Sequence, residues 1–200
     1  MAMLGALISA VFAGCMIGIA GTTCLSVENA YVGPLLFCVG LYTICAFGLR
    51  LYTGRVGYIL DSHKKEDIIN LILTWVGNYI GAALCGFAAA YSKGNIQSAA
   101  LKIVENRLQQ DFFTTLLLAF FCGMLMYIAV HTYKITSGKT LGMLLCVPAF
   151  ILSGFEHSVA DMYYFAAAGE FVKGIPQILI VTLGNALGAF AVGFGLRFKK

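Results

Sequence analysis

Long apolar stretches separated by short polar ones run along the whole chain. A helix that crosses a bilayer needs about 20 mostly apolar residues, and six stretches have that length. They cover about residues 3–24, 31–52, 68–91, 112–133, 140–165 and 176–194. The pattern predicts an all-α integral membrane protein with six transmembrane helices.

The composition strengthens this prediction. Of the 200 residues, 60% are hydrophobic and 11% are charged, whereas about a quarter of the residues in a soluble domain are charged. So few charged side chains cannot cover a water-soluble surface, and disorder and collagen are also excluded. Six spans occupy almost the full length. We therefore expect a single transmembrane domain over residues 1–200, with no nucleotide-binding or catalytic module and no nucleic-acid partner.

The cysteines do not change this picture. Seven of them lie scattered in apolar stretches without a C-x-x-C pair: Cys15, Cys24, Cys38, Cys45, Cys85, Cys122 and Cys146. Buried free cysteine packs as a small apolar residue. We therefore expect no metal site, no cofactor and no enzymatic activity.

The basic residues predict the orientation of the chain in the membrane. One side has Lys64, Lys65, Lys134, Lys139, Arg197, Lys199 and Lys200, and the other has Lys93, Lys102, Arg107 and Lys173. Because cytoplasmic loops carry an excess of lysine and arginine, both termini are expected on the cytoplasmic side of the inner (plasma) membrane.

Four charged residues fall inside predicted spans. Arg50 and Arg55 lie at the end of the second span, and Glu156 and Asp161 lie in the fifth. A charge within the bilayer is costly and persists where it faces a protein-lined cavity and has a partner. This placement indicates a functional site inside the membrane.

The charged segments belong to an internal repeat. Residues 48–55 read G-L-R-L-Y-T-G-R and residues 154–161 read G-F-E-H-S-V-A-D, while the motif G-N-x-x-G-A begins at both Gly77 and Gly184. Three spans in each half, about 1–92 and 107–200, insert in opposite directions and form an inverted repeat. Transport folds of this kind contain discontinuous helices at the midplane.

The repeat leads to two structural expectations. Gly54 and Gly57 are expected to break span two near Thr53, and Gly154 to break span five before His157. Arg50 and Arg55 are expected to face the two acids, Glu156 and Asp161, across the pseudo-twofold axis.

These motifs resemble the formate/nitrite transporter family. The resemblance rests on residues 40–54, Trp75-x-Gly77-Asn78, the string G-F-E-H-S-V-A-D-M from Gly154, and Gly184-Asn185. It implies an aquaporin-like fold of six helices with helices two and five interrupted. It also implies a homopentamer in membrane lipid, with a pore in each protomer for small monovalent anions.

The resemblance also assigns roles to single residues. His157 matches the central pore histidine, and Thr53 matches the threonine that hydrogen-bonds near it. Arg107 aligns with a lysine that attracts anions at the vestibule. The expected pore constriction consists of Phe37, Leu41, Leu51, Tyr52 and Phe150.

The chain departs from the family pattern at four positions. The family usually has a carboxylate in place of Arg50 and asparagine in place of Arg55 and Asp161. A pore-facing asparagine is replaced by Gly123. These departures bear on selectivity and gating more than on the fold.

The expected function is passage of a small weak-acid anion, with formate favoured and protons as the linked partner. Because one proton removes most of the cost of desolvating such an anion, a histidine that titrates near neutral pH is a suitable central residue. Nitrite and hydrosulfide remain alternatives. A divergent member with a closed pore and a regulatory or structural role remains a further one.

Overall fold

The computed structural model describes residues 2–62 and 64–198. Within them the chain is helical, with a 3-10 helix at Val56–Asp61 directly after α3. The α-helices are α1 (Ala2–Leu25), α2 (Val32–Ala46), α3 (Tyr52–Arg55), α4 (Lys65–Ser92), α5 (Gly94–Leu108), α6 (Phe112–Ile135), α7 (Leu141–Leu152), α8 (Ser158–Ala167) and α9 (Ile175–Leu196). Lys199 and Lys200, which support the expected orientation, lie outside the described residues.

Four helices are long and apolar enough to cross a membrane: α1, α4, α6 and α9. They coincide with predicted spans one, three, four and six to within three residues at each end. Each of the other two predicted spans covers one shorter helix and part of a second. Span two covers α2 and ends at Tyr52, the first residue of α3, and span five covers α7 and all but the last two residues of α8.

Apolar side chains cover much of the outer surface. Phe12 is 57% exposed, Leu84 58% and Leu117 54%. A soluble monomer rarely exposes large continuous apolar patches, whereas a helix that faces lipid presents apolar side chains to the acyl chains. The surface, together with the four long apolar helices, indicates a membrane environment.

Glycines bring the long helices together in pairs. A Cβ atom on Gly81 of α4 would collide with the carbonyl oxygen of Val11 in α1, and one on Gly188 of α9 would collide with the carbonyl oxygen of Phe120 in α6. Small residues allow this approach of backbones in membrane helices. Each pair of long helices therefore packs closely at its glycine motif.

Helix α5 links the two halves and was not predicted. It presents a narrow apolar stripe of Ile96, Ala100 and Val104, all fully buried, with polar residues elsewhere. This spacing of four residues gives one face of a helix. The stripe is too short and interrupted to stand out beside the long apolar stretches, but it packs α5 against α8.

Two short non-helical segments, residues 47–51 and 153–157, separate α2 from α3 and α7 from α8. Gly48 has φ +66° and Gly154 has φ +67°, which is the left-handed conformation that glycine adopts at little cost. Leu49 N–H donates to Ile44 O at 2.8 Å, and Phe155 N–H donates to Phe150 O at 2.9 Å. Both helices thus end in a Schellman-type motif.

The first break lies earlier than expected. Gly54 is inside α3 and Gly57 is inside the 3-10 helix, so neither ends the apolar helix. Gly48 does so instead, because its position in the left-handed region turns the chain before Thr53. In the second half the turn is at Gly154, the expected residue.

Candidate functional site

Two buried asparagines hold the non-helical segments in place. Asn78 Nδ2 donates to the carbonyl oxygens of Ala10 and Arg50, and its Oδ1 accepts from Tyr52 N–H. Each of these bonds is 2.8 Å long. Backbone groups that leave a helix inside a membrane need such partners, because no water is available to them.

Asn185 makes the matching contacts in the second half. Its Nδ2 donates to the carbonyl oxygens of Ala119 and Glu156 at 2.8 Å, and its Oδ1 accepts from Ser158 N–H at 2.9 Å. The sequence predicted no role for the asparagine of either G-N motif. The missed signal was a polar amide in the middle of an apolar helix, repeated in both halves.

His157 and Thr53 meet at the point where α8 and α3 begin. His157 Nε2 lies 3.0 Å from Thr53 Oγ1, and both side chains are buried, at 2% and 1% exposed. Thr53 is the second residue of α3, and His157 directly precedes α8. The two residues that the family resemblance singled out therefore lie in direct contact.

The hydrogen bonds of the imidazole define its tautomer. His157 Nδ1 accepts from Ala160 N–H at 3.1 Å and caps the start of α8. A ring nitrogen that accepts a hydrogen bond carries no proton, so the proton of the neutral ring lies on Nε2. Nε2 then donates to Thr53 Oγ1, and the threonine hydroxyl keeps its own proton to donate.

Apolar rings and chains surround this pair. The Phe150 ring stacks on His157 with centroids 5.6 Å apart, and the Phe37 ring meets Phe150 edge-on at 5.9 Å. Phe37, Leu41, Leu51 and Phe150 are all buried in one apolar cluster. Four of the five expected constriction residues therefore belong to the main buried apolar cluster, and two of them, Phe37 and Phe150, are in contact beside His157.

Tyr52 lies apart from the other four. Its ring packs in a smaller cluster with Val56, Tyr127 and Ala189, and its hydroxyl donates to Thr182 O at 3.3 Å. Because successive residues of α3 point in different directions, Leu51 and Thr53 reach the centre while Tyr52 packs towards α6 and α9.

Arg107 is the partner of the two buried acids. Its Nε lies 2.8 Å from Glu156 Oε2, and it also pairs with Asp161 Oδ1. The side chains are 13%, 2% and 0% exposed for Arg107, Glu156 and Asp161. Burial disfavours the charged guanidinium, but the Asp161 and Glu156 carboxylates outweigh it and raise the pKa of Arg107. Arg107 thus stays charged.

This arrangement corrects the expected pairing of Arg50 and Arg55 with Glu156 and Asp161. The acids are held by Arg107 from α5, and neither Arg50 nor Arg55 forms an ion pair with them. The two arginines and the acids border different spaces: Arg50 and Arg55 line one cavity, and Glu156 lines another together with Arg107. The four residues do not form one network.

A cavity of about 250 Å³ lies beside Arg107. Its wall includes Arg107, Gln110, Phe150, Glu156 and Tyr164. Gln110 Nε2 donates to Glu156 Oε1 at 3.1 Å, and the Arg107 guanidinium lies 4.9 Å from the centre of the Tyr164 ring. This cavity, which we call the Arg107 cavity, therefore contains a cation that is already paired.

Arg50, Arg55 and Lys134 line a second cavity, of about 340 Å³. Arg55 and Lys134 also border an adjoining space of about 290 Å³, whose wall includes Leu51. We call these two spaces the Arg55 cavities. Leu51 lines one of them, and Phe150, which stacks on His157, lines the Arg107 cavity, so residues beside the His157–Thr53 pair border both sets of cavities.

The described residues offer no arrangement typical of a metal centre. Within residues 2–62 and 64–198, no three histidine, cysteine or acidic side chains come together in a group that could hold a metal ion. The seven cysteines are free.

The whole chain is similar to a known family of membrane proteins. Residues 1–198 match the family model described as Formate/nitrite transporter. The formate channel BtFdhC of Bacillus thuringiensis is 30% identical, over 82% of this chain and 70% of the relative. The nitrite transporter NirC of Escherichia coli is 28% identical, over 96% of this chain and 82% of the relative.

The fold is similar to that of a solved channel. A structure described as a pentameric formate channel with formate bound superposes with a TM-score of 0.83. It is 25% identical, and the match covers 99% of this chain and 96% of the other. The sequence and structural comparisons agree on the same class of membrane channels and transporters, which are not enzymes.

Proposed function

The chain belongs to the formate/nitrite transporter family, and we propose that it carries a small monovalent weak-acid anion across the membrane, with formate as the favoured substrate. The observation that carries this proposal is the His157–Thr53 pair, buried among apolar side chains between cavities on two sides. The similarity to both a formate channel and a nitrite transporter keeps nitrite, and with it hydrosulfide, as alternatives.

The proposed architecture has six spans in an inverted repeat. Helices α2 and α3, and likewise α7 and α8, together form one interrupted crossing each. The matched hydrogen bonds of Asn78 and Asn185 support a duplication, since both amides bridge the residues flanking the break in their own half. The left-handed Gly48 and Gly154, 106 residues apart, support it independently.

In the proposed mechanism the His157 imidazole becomes a cation only when it takes up a proton. A bare anion in an apolar constriction loses its hydration at high cost. Proton uptake on His157 makes the ring a cation that attracts the anion. Transfer of that proton to the anion, directly or through the Thr53 hydroxyl, yields a neutral acid and a neutral imidazole. Passage of the bare anion is the competing mechanism.

We also propose a homopentamer with a pore in each protomer and both termini in the cytoplasm. The pentamer rests on the solved formate channel, and the orientation rests on the lysine and arginine bias. In this orientation the Arg55 cavities face the cytoplasm, because Arg197 at the end of α9 donates to Asp61 and Leu60 beside them.

Uptake into liposomes tests the function. We expect formate to accumulate in vesicles containing the protein, faster when the outside is more acidic than the lumen. We expect His157→Ala to abolish this response to the proton gradient. Nitrite and hydrosulfide are measured in parallel, so that the relative rates identify the preferred anion.

A histidine outside the centre provides the control. His131 contacts Tyr58 and Tyr127 instead of Thr53, and His131→Gln should keep the proton dependence. Absence of flux for all three anions would contradict a transport function. An unchanged pH profile in His157→Ala would contradict the role of the histidine and leave transport intact.

A further inference from the structure

Three basic side chains share one cavity without an acidic partner. Arg50, Arg55 and Lys134 line the larger Arg55 cavity, and no ion pair joins any of them to a carboxylate within the described residues. The Lys134 ammonium lies over the Tyr58 ring at 3.7 Å. Three like charges near one another repel, so an anion in this cavity is stabilised by all of them.

The acids near this cavity have other contacts. Asp67 lies on its wall and accepts a hydrogen bond from the Ser62 hydroxyl. Asp61 pairs with Arg197 at 2.6 Å. Countercharge from the protein is therefore weak where the three cations meet.

The second half of the molecule provides an internal comparison. Glu156 and Asp161 occupy the positions that match Arg50 and Arg55 in the repeated segments. There, Arg107 from α5 supplies the opposite charge. In the first half no described acidic side chain pairs with the cations in this way, so they remain open to an anion from outside the chain.

We infer that Arg50, Arg55 and Lys134 form a binding site for a phosphate group. Guanidinium forks match the oxygens of phosphate, and lysine adds a compact charge. Three cations suit a dianion better than a monoanion such as formate, which would neutralise one of them. The cavity of about 340 Å³ has room for phosphate or a phosphate monoester, and the Asn70 amide lies on the same wall.

Occupation of this site would regulate the pore. Arg55 lies two residues after Thr53 and lines both Arg55 cavities, one of which is also bounded by Leu51. A bound dianion would then stand in the path between the cavity and the His157–Thr53 pair. Binding of phosphate does not depend on the proposed transport function, whereas inhibition of flux by phosphate does.

Binding of inorganic phosphate to the purified protein in a neutral detergent is the direct test, by titration calorimetry at fixed ionic strength. Removing two cations in Arg50→Gln/Arg55→Gln should weaken the affinity about tenfold or more. Lys93→Gln/Lys102→Gln removes two exposed lysines elsewhere and should leave it unchanged. Lys134→Gln, at the exposed end of α6, serves as a second variant should the first fold poorly.

The same calorimetry distinguishes the outcomes. No binding by the wild-type protein would overturn the inference, and so would equal weakening in the two double variants. Formate at the same concentration should compete poorly with phosphate for binding. Effective competition would mean that the three cations attract anions in general and do not form a phosphate site. A protein that binds phosphate but transports no anion keeps this site and loses the proposed function.

The phosphate group belongs either to a soluble anion or to a lipid headgroup, and vesicles separate the two. In phosphatidylcholine vesicles, inhibition of flux by phosphate on the Arg55 side indicates a soluble ligand. Inhibition by phosphatidic acid, with no further effect of inorganic phosphate, indicates the headgroup. If neither affects flux although phosphate binds, the site stands and its regulation of the pore is wrong.

Discussion

The hydrogen bond of the Thr53 hydroxyl to His157 tests whether the histidine takes part in transport or only packs in the core. Thr53→Val keeps the shape of the side chain and removes the acceptor for His157 Nε2. Since a hydrogen bond contributes on the order of 1 kcal/mol, we expect formate flux to fall about fivefold. Stopped-flow uptake into proteoliposomes measures this change.

Thr53→Ser is the matched control because serine restores the hydroxyl in a smaller side chain. It should recover most of the flux, and both variants should keep the oligomeric state and unfolding temperature of the wild type within a few degrees. Equal flux in Thr53→Val and the wild type would show that the hydroxyl is not needed for transport.

Arg107 has a structural part that its position at a cavity does not reveal. It is the described cation that pairs with Glu156 and Asp161, and both acids are almost fully buried. Breaking a buried ion pair from one side costs about 3–5 kcal/mol, because an uncompensated charge remains. We expect Arg107→Gln to lower the thermal unfolding temperature in detergent clearly.

Lys102 provides the comparison on the same helix. It is exposed on α5, so Lys102→Gln should leave the unfolding temperature unchanged. Adding Glu156→Gln and Asp161→Asn to Arg107→Gln should recover part of the loss, since no buried charge is then left unpaired. A triple variant less stable than Arg107→Gln would contradict this account of the ion pairs.

At the scale of single residues, sequence reasoning identified side chains better than their partners. His157 and Thr53 stood out because the family resemblance assigns them central positions, and they do lie in contact. The bond between Arg107 and the acids could not be deduced from the chain. It joins residues 49 and 54 positions apart, on helices whose packing no periodicity predicts.

Among the elements, the two non-helical segments depend most on their glycines. Gly48 and Gly154 have φ near +66°, and a Cβ on either would meet no atom within 4 Å. Substitution by alanine therefore costs only the left-handed conformation, about 1–2 kcal/mol. We expect Gly48→Ala and Gly154→Ala each to lower stability by that amount in denaturant titrations.

Gly5 is the corresponding control. It lies inside α1, also with open space at its Cβ position, and alanine is the better helix former. Gly5→Ala should be neutral or slightly stabilising. Gly154→Asn should lose less than Gly154→Ala, because asparagine tolerates the left-handed region; the reverse order would mean that backbone strain is not the cause.

The helices were predictable where one signal dominated. Long apolar runs predicted α1, α4, α6 and α9 closely, since no lysine, arginine, aspartate or glutamate interrupts those stretches. The break in span two was predicted too late in the chain, at Gly54 and Gly57. The glycine that ends α2 is Gly48, and its left-handed conformation belongs to the turn and cannot be deduced from the residue type alone. Helix α5 escaped notice because its buried stripe rests on three residues.

For the whole molecule, the proposed duplication accounts for the shared scaffold, and the charges account for the difference between the two halves. Asn78 and Asn185 hold the same backbone positions in each half. The acids of the second half have Arg107, whereas the arginines of the first half face open cavities. The two repeated segments thus share the asparagine that holds the backbone and differ in the sign of their charged side chains. In the proposed channel, this would give the two ends of the pore different electrostatic surroundings.

The apolar surface leads to the prediction of an assembly. On α2, Leu35, Leu36, Val39 and Tyr42 are each between 43% and 49% exposed, and such a surface must meet either lipid or a second copy of the chain. With the solved pentameric channel as the structural relative, we expect native mass spectrometry to give five times the 21.4 kDa of one chain.

The mass should persist on dilution, because interfaces rich in apolar side chains dissociate slowly. A single-chain mass in several mild detergents would contradict the pentamer, and would assign the exposed face of α2 to lipid alone.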